Sequence, residues 1–230
     1  MAQELRFAPL GPDHLIVLGL TAGAALALIA NHQRLRARDD RGLRRGLGLL
    51  LLGNELFSWL VGLSQGRGRI PLQLCDLALV MTVWALWSLK PAVSELAYFW
   101  GLAGSLQAVL TPDLREPFPT YWWMKFFVGH CGMVLAAVYM AASGRVRPTH
   151  RSIWRVWGWT NLYAAIAGMS NWLCGTNFGY LARKPIQPSL LDYFGPWPSY
   201  ILVLEGAALL SFYLYYAPFV VARWSIRRTS

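Results

Sequence analysis

The sequence predicts an all-α polytopic membrane protein, a single bundle of seven transmembrane helices spanning residues 1–230. Three observations predict it. Hydrophobic residues make up 56% of the chain and charged residues 14%, too apolar for an ordinary soluble domain. Apolar stretches of about 18–25 residues recur along the chain, the length a helix needs to cross hydrocarbon about 30 Å thick. Twelve Trp and ten Tyr suit a protein with many membrane–water interfaces, where amphipathic rings collect.

The first span is Asp13–Ala30, with His14 at its opening. The preceding MAQELRFAPLGPDH has no basic n-region, so the span is expected to be retained. The second is Arg45–Gly62, with Glu55 near its middle. The third, Pro71–Leu89, carries Gln73, Cys75 and Asp76 near its start. Ionisable groups in a span are costly and usually have a task. The fourth is Val93–Leu110, with Glu95 in one half and Gln107 and Thr111 at the other end, on one helical face. The fifth, Tyr121–Ala141, opens on Tyr121, Trp122 and Trp123 and carries His130 one to two turns in. The sixth is Ile153–Leu173, the most polar, with Thr160, Asn161, Ser170 and Asn171. The seventh is Trp197–Val221, entered through GPWP and carrying Glu205 near its middle. Neither a repeat nor a low-complexity linker divides the chain.

Loop charge orients the bundle. Fourteen basic residues fall on one side: Arg34 to Arg45, Lys90, Arg145 to Arg155, and Arg223, Arg227 and Arg228 in the tail. Six fall on the other: Arg6, Arg67, Arg69, Arg115, Arg183 and Lys184. The positive-inside rule makes the first side cytoplasmic. The N-terminus is then outside and the C-terminus inside, as an odd number of spans requires. The arginine runs read first as topology signals, with contact to anionic lipid as a secondary effect.

This orientation brings polar groups to one level in the outer half of the membrane. They are Gln73, Cys75, Asp76, Gln107, Thr111, Asp113, His130, Asn171, Thr176, Asn177 and Asp192. Cys75, in the first turns of its helix where the dipole favours a thiolate, is the candidate nucleophile. His130, the histidine inside a span, is the candidate base. Asp76 lies about 100° around the helix from Cys75, and is read as orienting His130 or binding a polar head group. Gln107 and Asn171 are candidate oxyanion donors, with Thr111 and Thr176 nearer the mouth. Plainer roles compete. Cys75 can be packing, His130 can cross-link helices, and Asn and Gln can join neighbouring helices. Asp113, Thr176 and Asn177 can cap helix ends. Cys131 and Cys174 read as packing.

The net charge of +10 does not indicate nucleic acid, because the basic residues are interrupted by apolar runs and form no continuous face. Cysteine and histidine spacing shows no zinc pattern, and no Gly-rich phosphate loop is present. No metal and no cofactor is expected.

Five segments carry a family resemblance: LQLCDLA (Leu72–Ala78), YFWGLAGSLQAVLTPDL (Tyr98–Leu114), FFVGHCGMVLAAVYM (Phe126–Met140), NWLCGTNFGYLARKP (Asn171–Pro185) and SLLDYFGPWPSYIL (Ser189–Leu202). Together they resemble the YwaF-like family of bacterial integral membrane proteins, which is similar to a eukaryotic transmembrane phospholipid acyltransferase. The resemblance implies a multi-pass protein of the bacterial inner membrane that transfers fatty acyl groups between phospholipid and lysophospholipid. It implies Cys75 as nucleophile and His130 as its partner. Gln73 stands two before the cysteine, where the family often has histidine. The alternative is a non-enzymatic lipid or small-solute binder or transporter, with Glu55 and Glu205 as proton carriers.

Overall fold

The computed structural model describes residues 7–68, 70–186 and 188–229, with the side chains of residues 223–229 not described. Arg6 and Arg69, and the side chains of Arg223, Arg227 and Arg228, therefore lie outside the described residues. Among the described residues the chain is helical and contains no strand. The helices are α1 (Pro12–Ala30), α2 (His32–Ala37), α3 (Arg41–Ser64), α4 (Leu74–Ser88), α5 (Pro91–Trp100), α6 (Leu106–Leu110), α7 (Tyr121–Ala142), α8 (His150–Cys174) and α9 (Ser199–Thr229). A π-helical turn, Gly101–Ser105, joins α5 to α6, so helix runs without a break from Pro91 to Leu110.

Local chemistry sets the ends. Pro12 and Pro91 sit in the first turns of α1 and α5, where a missing N–H costs nothing. Thr120 caps α7 by accepting the Trp123 N–H at 3.4 Å. Thr149 and Ser152 cap α8 reciprocally, and α8 stops at Gly175, whose φ of 65° is left-handed. The α4 helix begins at Leu74, later than the Pro71 expected from the apolar run, because Gln73 and Asp76 form a capping box there. It ends at Leu89, φ 52°, with Pro91 just beyond.

Among the described residues four helices are long and apolar enough to cross a membrane: Pro12–Ala30, Arg41–Ser64, Tyr121–Ala142 and Ser199–Ala222 of α9. Their surfaces agree with that medium. Leu15, Ile16, Leu20, Leu49, Leu56, Leu60, Leu210 and Leu214 are all exposed, an apolar belt that water would not tolerate. On α1 only His14 is buried.

Helix α7 is central and packs against α1, α3, α4 and α5; α8 lies against α5 and α9. Glycines set the close approaches. Gly101 faces the Met133 carbonyl, and a Cβ on Gly132 would stand 2.6 Å from Leu51 Cδ2. Without a hydrophobic drive between helices in lipid, such small-residue contacts supply the packing.

Polar clasps close both ends. At the arginine-rich end, buried Asp40 accepts from Tyr139 Oη at 2.6 Å, Arg44 Nε at 2.9 Å and Arg145 Nε at 2.9 Å. Burial pushes the Asp40 carboxyl up, but those three hydrogen bonds outweigh it and hold its pKa at about 2. Arg44 also donates to the Leu86 carbonyl, and Arg155 pairs with Glu95. At the other end, Phe7 N donates to the Arg115 carbonyl at 3.0 Å and Trp123 Nε1 to Asp13 at 3.0 Å. His14 accepts from Leu10 N on Nδ1, so its Nε2 donates to the Val109 carbonyl, at 2.7 Å. His14 is thus a structural cross-link between α1 and α6.

Candidate functional site

The end opposite the arginines gathers the starts of α1, α4, α7 and α9 with the ends of α6 and α8. Long-range hydrogen bonds tie them together. Gly179 N donates to Gln73 Oε1 at 2.9 Å, and Tyr163 Oη donates to the Leu72 carbonyl at 3.2 Å. Tyr180 Oη donates to Asp113 Oδ2 at 2.9 Å, and Tyr200 Oη donates to the Tyr180 carbonyl. Trp197 Nε1 reaches the Leu181 carbonyl at 3.0 Å. The turn after α8 is therefore stitched to α4, to the segment after α6 and to α9.

Cys75 is half-buried in the first turn of α4. The hydroxyls of Tyr163 and Tyr180 lie within electrostatic reach of its thiol. Tyr180 ends the 3-10 turn Phe178–Tyr180, in the segment between α8 and α9; burial pushes its phenol up, and the Asp113 carboxylate beside it adds to the shift. It stays a neutral hydrogen-bond donor.

Asp76 is buried and accepts from Gln73 N at 3.0 Å. Its negative charge at the α4 N-terminus matches the helix dipole, which leaves less of that dipole to favour a thiolate on Cys75. Asp76 is also within electrostatic reach of His130 on α7, as are Glu55 and Lys125. Lys125 Nζ and Glu55 Oε2 are ion-paired at 2.8 Å, each 17% exposed.

His130 donates Nδ1–H to the Phe126 carbonyl one turn back, at 2.8 Å, because a carbonyl can only accept. That fixes the tautomer of the neutral ring and leaves the lone pair on Nε2. Phe126 also stacks on the ring, with centroids 4.2 Å apart. A neutral imidazole with its tautomer fixed and its lone pair on Nε2 has the form a general base requires.

Several predicted ligand-binding side chains are committed to the fold. Asn171 takes the Phe178 N–H at 2.7 Å and the Thr176 hydroxyl at 2.9 Å on Oδ1, and donates Nδ2–H to the Phe178 carbonyl. Asn177 accepts from Ala182 N and Arg183 N and donates to the Arg183 carbonyl. Asp192 accepts from Ser189 N at 2.8 Å and caps the 3-10 turn Leu190–Phe194. Gln107 Nε2 donates to Thr111 Oγ1 at 2.7 Å. An amide NH2 has two hydrogens, so Gln107 and Asn171 each keep one N–H beyond the bond just named. Tyr163, Tyr180 and Gly179 were not singled out from sequence. Tyr180 lies inside the NFGYLARKP segment, but nothing in the pattern separates Tyr163 from ordinary aromatic packing.

A cavity of about 350 Å³ opens beside this end, lined by Trp59, Arg67, Glu116, Trp122, Lys125 and Phe126 among others. It borders the Phe126–His130 turn. Among the described residues, no group of three or more His, Cys, Asp or Glu side chains converges to hold a metal ion.

Apolar exposed helices, polar groups gathered at one end and arginines at the other define a multi-pass helical membrane protein. The profile of the TMEM164 family matches residues 9–216, and the chain belongs to that family. An uncharacterized protein of Treponema pallidum (strain Nichols) is 29% identical over 198 residues, covering 85% of this chain and 79% of that protein. No solved structure matches.

Proposed function

We propose that the chain crosses the bacterial inner membrane seven times, N-terminus outside, and moves a fatty acyl chain from a phospholipid to a lysophospholipid through a thioester on Cys75. In this reading a phospholipid enters between helices with its ester beside α4. His130 Nε2 takes the Cys75 proton, and the sulfur attacks the ester carbonyl. The C–O bond breaks, His130 returns the proton to the leaving oxygen, and a lysophospholipid departs. A second lysophospholipid hydroxyl then attacks the thioester with the same proton traffic in reverse. Asp76 stabilises the imidazolium, and the remaining amide hydrogens of Gln107 and Asn171 are the candidate donors to the oxyanion.

The observation that carries this reading is the His130 tautomer, with the ring lone pair on Nε2 inside a span whose opening lies at the same end of the bundle as Cys75. The resemblance to the YwaF-like proteins points to the same chemistry. The test is transfer of a labelled acyl chain from phospholipid to lysophospholipid by purified protein, comparing wild type with Cys75→Ala and His130→Ala. Transfer that requires both residues, together with an acyl adduct on Cys75 by mass spectrometry, supports it. Undiminished transfer in Cys75→Ala removes the thioester.

The Lys125–Glu55 pair beside the cavity favours a second reading, a lipid or small-solute binder. That reading expects binding without transfer, sensitive to Lys125→Met and indifferent to Cys75→Ala.

A further inference from the structure

The arginine-rich end holds a feature that topology alone does not require. Gly144, just past the end of α7, has φ 71°. The position a Cβ would take on it lies 3.6 Å from Arg36 Nε and 3.7 Å from Arg147 Nη2. Two guanidinium groups from chain segments more than a hundred residues apart thus meet over one turn. Among the described residues their hydrogen bonds go to backbone carbonyls: Arg36 Nε to Ala142 O at 3.4 Å and Arg147 Nε to Gly144 O at 3.3 Å. Among the described residues neither is ion-paired. The nearby buried carboxylate, Asp40, is already shared between Arg44, Arg145 and Tyr139. Asp39 accepts the Arg41 N–H at 3.2 Å.

Like charges drawn together without a counter-charge repel unless an anion joins them. Both side chains are exposed, so an anion can reach them. The guanidinium fork matches a phosphate in two hydrogen bonds, which a point charge cannot do. The neighbouring surface indicates what carries the phosphate. In the last turns of α1, which leads into the α2 helix bearing Arg36, Leu26 and Ile29 are exposed at 66% and 54%. An acyl chain can lie along that face while its head group reaches the two arginines. A free phosphate would gain nothing from it.

We propose that Arg36 and Arg147 clamp the phosphate of an anionic phospholipid head group in the leaflet at the arginine-rich end. The clamp is at the opposite end of the bundle from Cys75 and His130 and does not depend on the acyl-transfer reading.

The test measures thermal unfolding of the full-length protein in neutral detergent with added phosphatidylglycerol, phosphatidylcholine or inorganic phosphate. Wild type is compared with Arg36→Gln/Arg147→Gln and with Arg45→Gln/Arg151→Gln, which removes the same charge from other exposed arginines, and a lysine pair is added as a fourth protein. Phosphatidylglycerol is expected to raise the wild-type Tm, with phosphatidylcholine and phosphate having little effect. The first double variant loses at least half of that rise and the second keeps it. Arg36→Lys/Arg147→Lys, which keeps the charge and loses the fork, falls between. Equal losses in the two Gln variants would mean diffuse charge and overturn the clamp. A rise with inorganic phosphate equal to that with phosphatidylglycerol would make it a soluble-anion site and overturn the lipid assignment. If the first double variant is unstable before lipid is added, native mass spectrometry of wild type decides. Retention of phosphatidylglycerol no greater than of phosphatidylcholine overturns the proposal.

Discussion

The backbone N–H of Gly179 donates to the side-chain oxygen of Gln73, 106 positions earlier, at 2.9 Å. This bond fastens the turn after α8 to the start of α4, the turn that carries Cys75. Gln73 is also the N-cap of α4 and half of its capping box. One side chain therefore sets where α4 begins and where the turn rests.

Gly179→Ala is expected to break this arrangement. Its φ is 63°, and a Cβ there would stand 2.8 Å from the Tyr163 hydroxyl. The left-handed backbone alone costs about 1 kcal/mol in an alanine. Displacing Tyr163 also removes its hydrogen bond to the Leu72 carbonyl, worth about another 1 kcal/mol. Chemical denaturation in detergent should show a loss of about 2 kcal/mol, with Tyr163→Phe alone costing about half. A loss below about 0.5 kcal/mol in Gly179→Ala would mean that the turn moves freely and does not position α4.

Asp40 gives an acid limb to stability. Its folded pKa, about 2, is below the ordinary 3.8. The folded state thus holds the ionised form more tightly than the unfolded chain does. The stabilisation is complete above about pH 4 and is lost as pH falls through 2. Asp40→Asn should lower Tm at pH 7, leaving buried Arg44 without its carboxylate, and should flatten the Tm profile between pH 4 and 2. Parallel profiles for the variant and wild type across that window would place the acid sensitivity elsewhere.

Lys125 and Glu55 are tied by a short ion pair within apolar helices. Removing one partner strands the other, which typically costs about 3–5 kcal/mol, whereas replacing both with apolar groups costs far less. Lys125→Met and Glu55→Leu should each destabilise by about 3 kcal/mol, and the double variant by less than either. A strictly additive cycle would show that the two groups do not interact energetically.

The helical plan was legible because lipid demands long apolar runs. The expected Asp13–Ala30 starts one residue after α1 and ends with it, and Tyr121–Ala141 ends one residue before α7. What the pattern did not show was local hydrogen-bond competition. Gln73 and Asp76 were read as chemistry, yet they also end the preceding loop by capping α4 three residues late. The π-helical turn at Gly101–Ser105 leaves no trace in hydropathy. It begins at Gly101, which packs against the Met133 carbonyl on α7, a tertiary contact that hydropathy does not register. Two of the four polar residues of the sixth stretch have partners in neighbouring helices: Thr160 accepts from Trp100 Nε1 at 2.9 Å, and Asn161 donates to Glu205 at 3.1 Å. The segments that the sequence pattern placed at one level are joined by hydrogen bonds at one end of the bundle. The pattern did not show that Asn171 spends its Oδ1 and one amide hydrogen on the turn after α8 and keeps a single N–H beyond it.

Asp76 offers a way to separate structure from chemistry, if the acyl-transfer reading holds. It does two things at once: it accepts the Gln73 N–H, and it sets a negative charge within reach of His130. Asp76→Asn keeps an acceptor oxygen for the cap and removes the charge. Asp76→Ala removes both. A lost cap costs about 1 kcal/mol, so Asp76→Ala should unfold more readily than wild type while Asp76→Asn stays within about 0.5 kcal/mol of it. Transfer should fall by a similar factor in both variants, because each deprives the imidazolium formed in the reaction of its counter-charge. That factor is set at about tenfold by a stabilisation near 1.4 kcal/mol. Acyl-transfer rates and unfolding curves on the same preparations distinguish the cases. If Asp76→Asn transfers as fast as wild type and only Asp76→Ala is slow, Asp76 acts through the α4 cap alone and the His130 imidazolium is stabilised by something else.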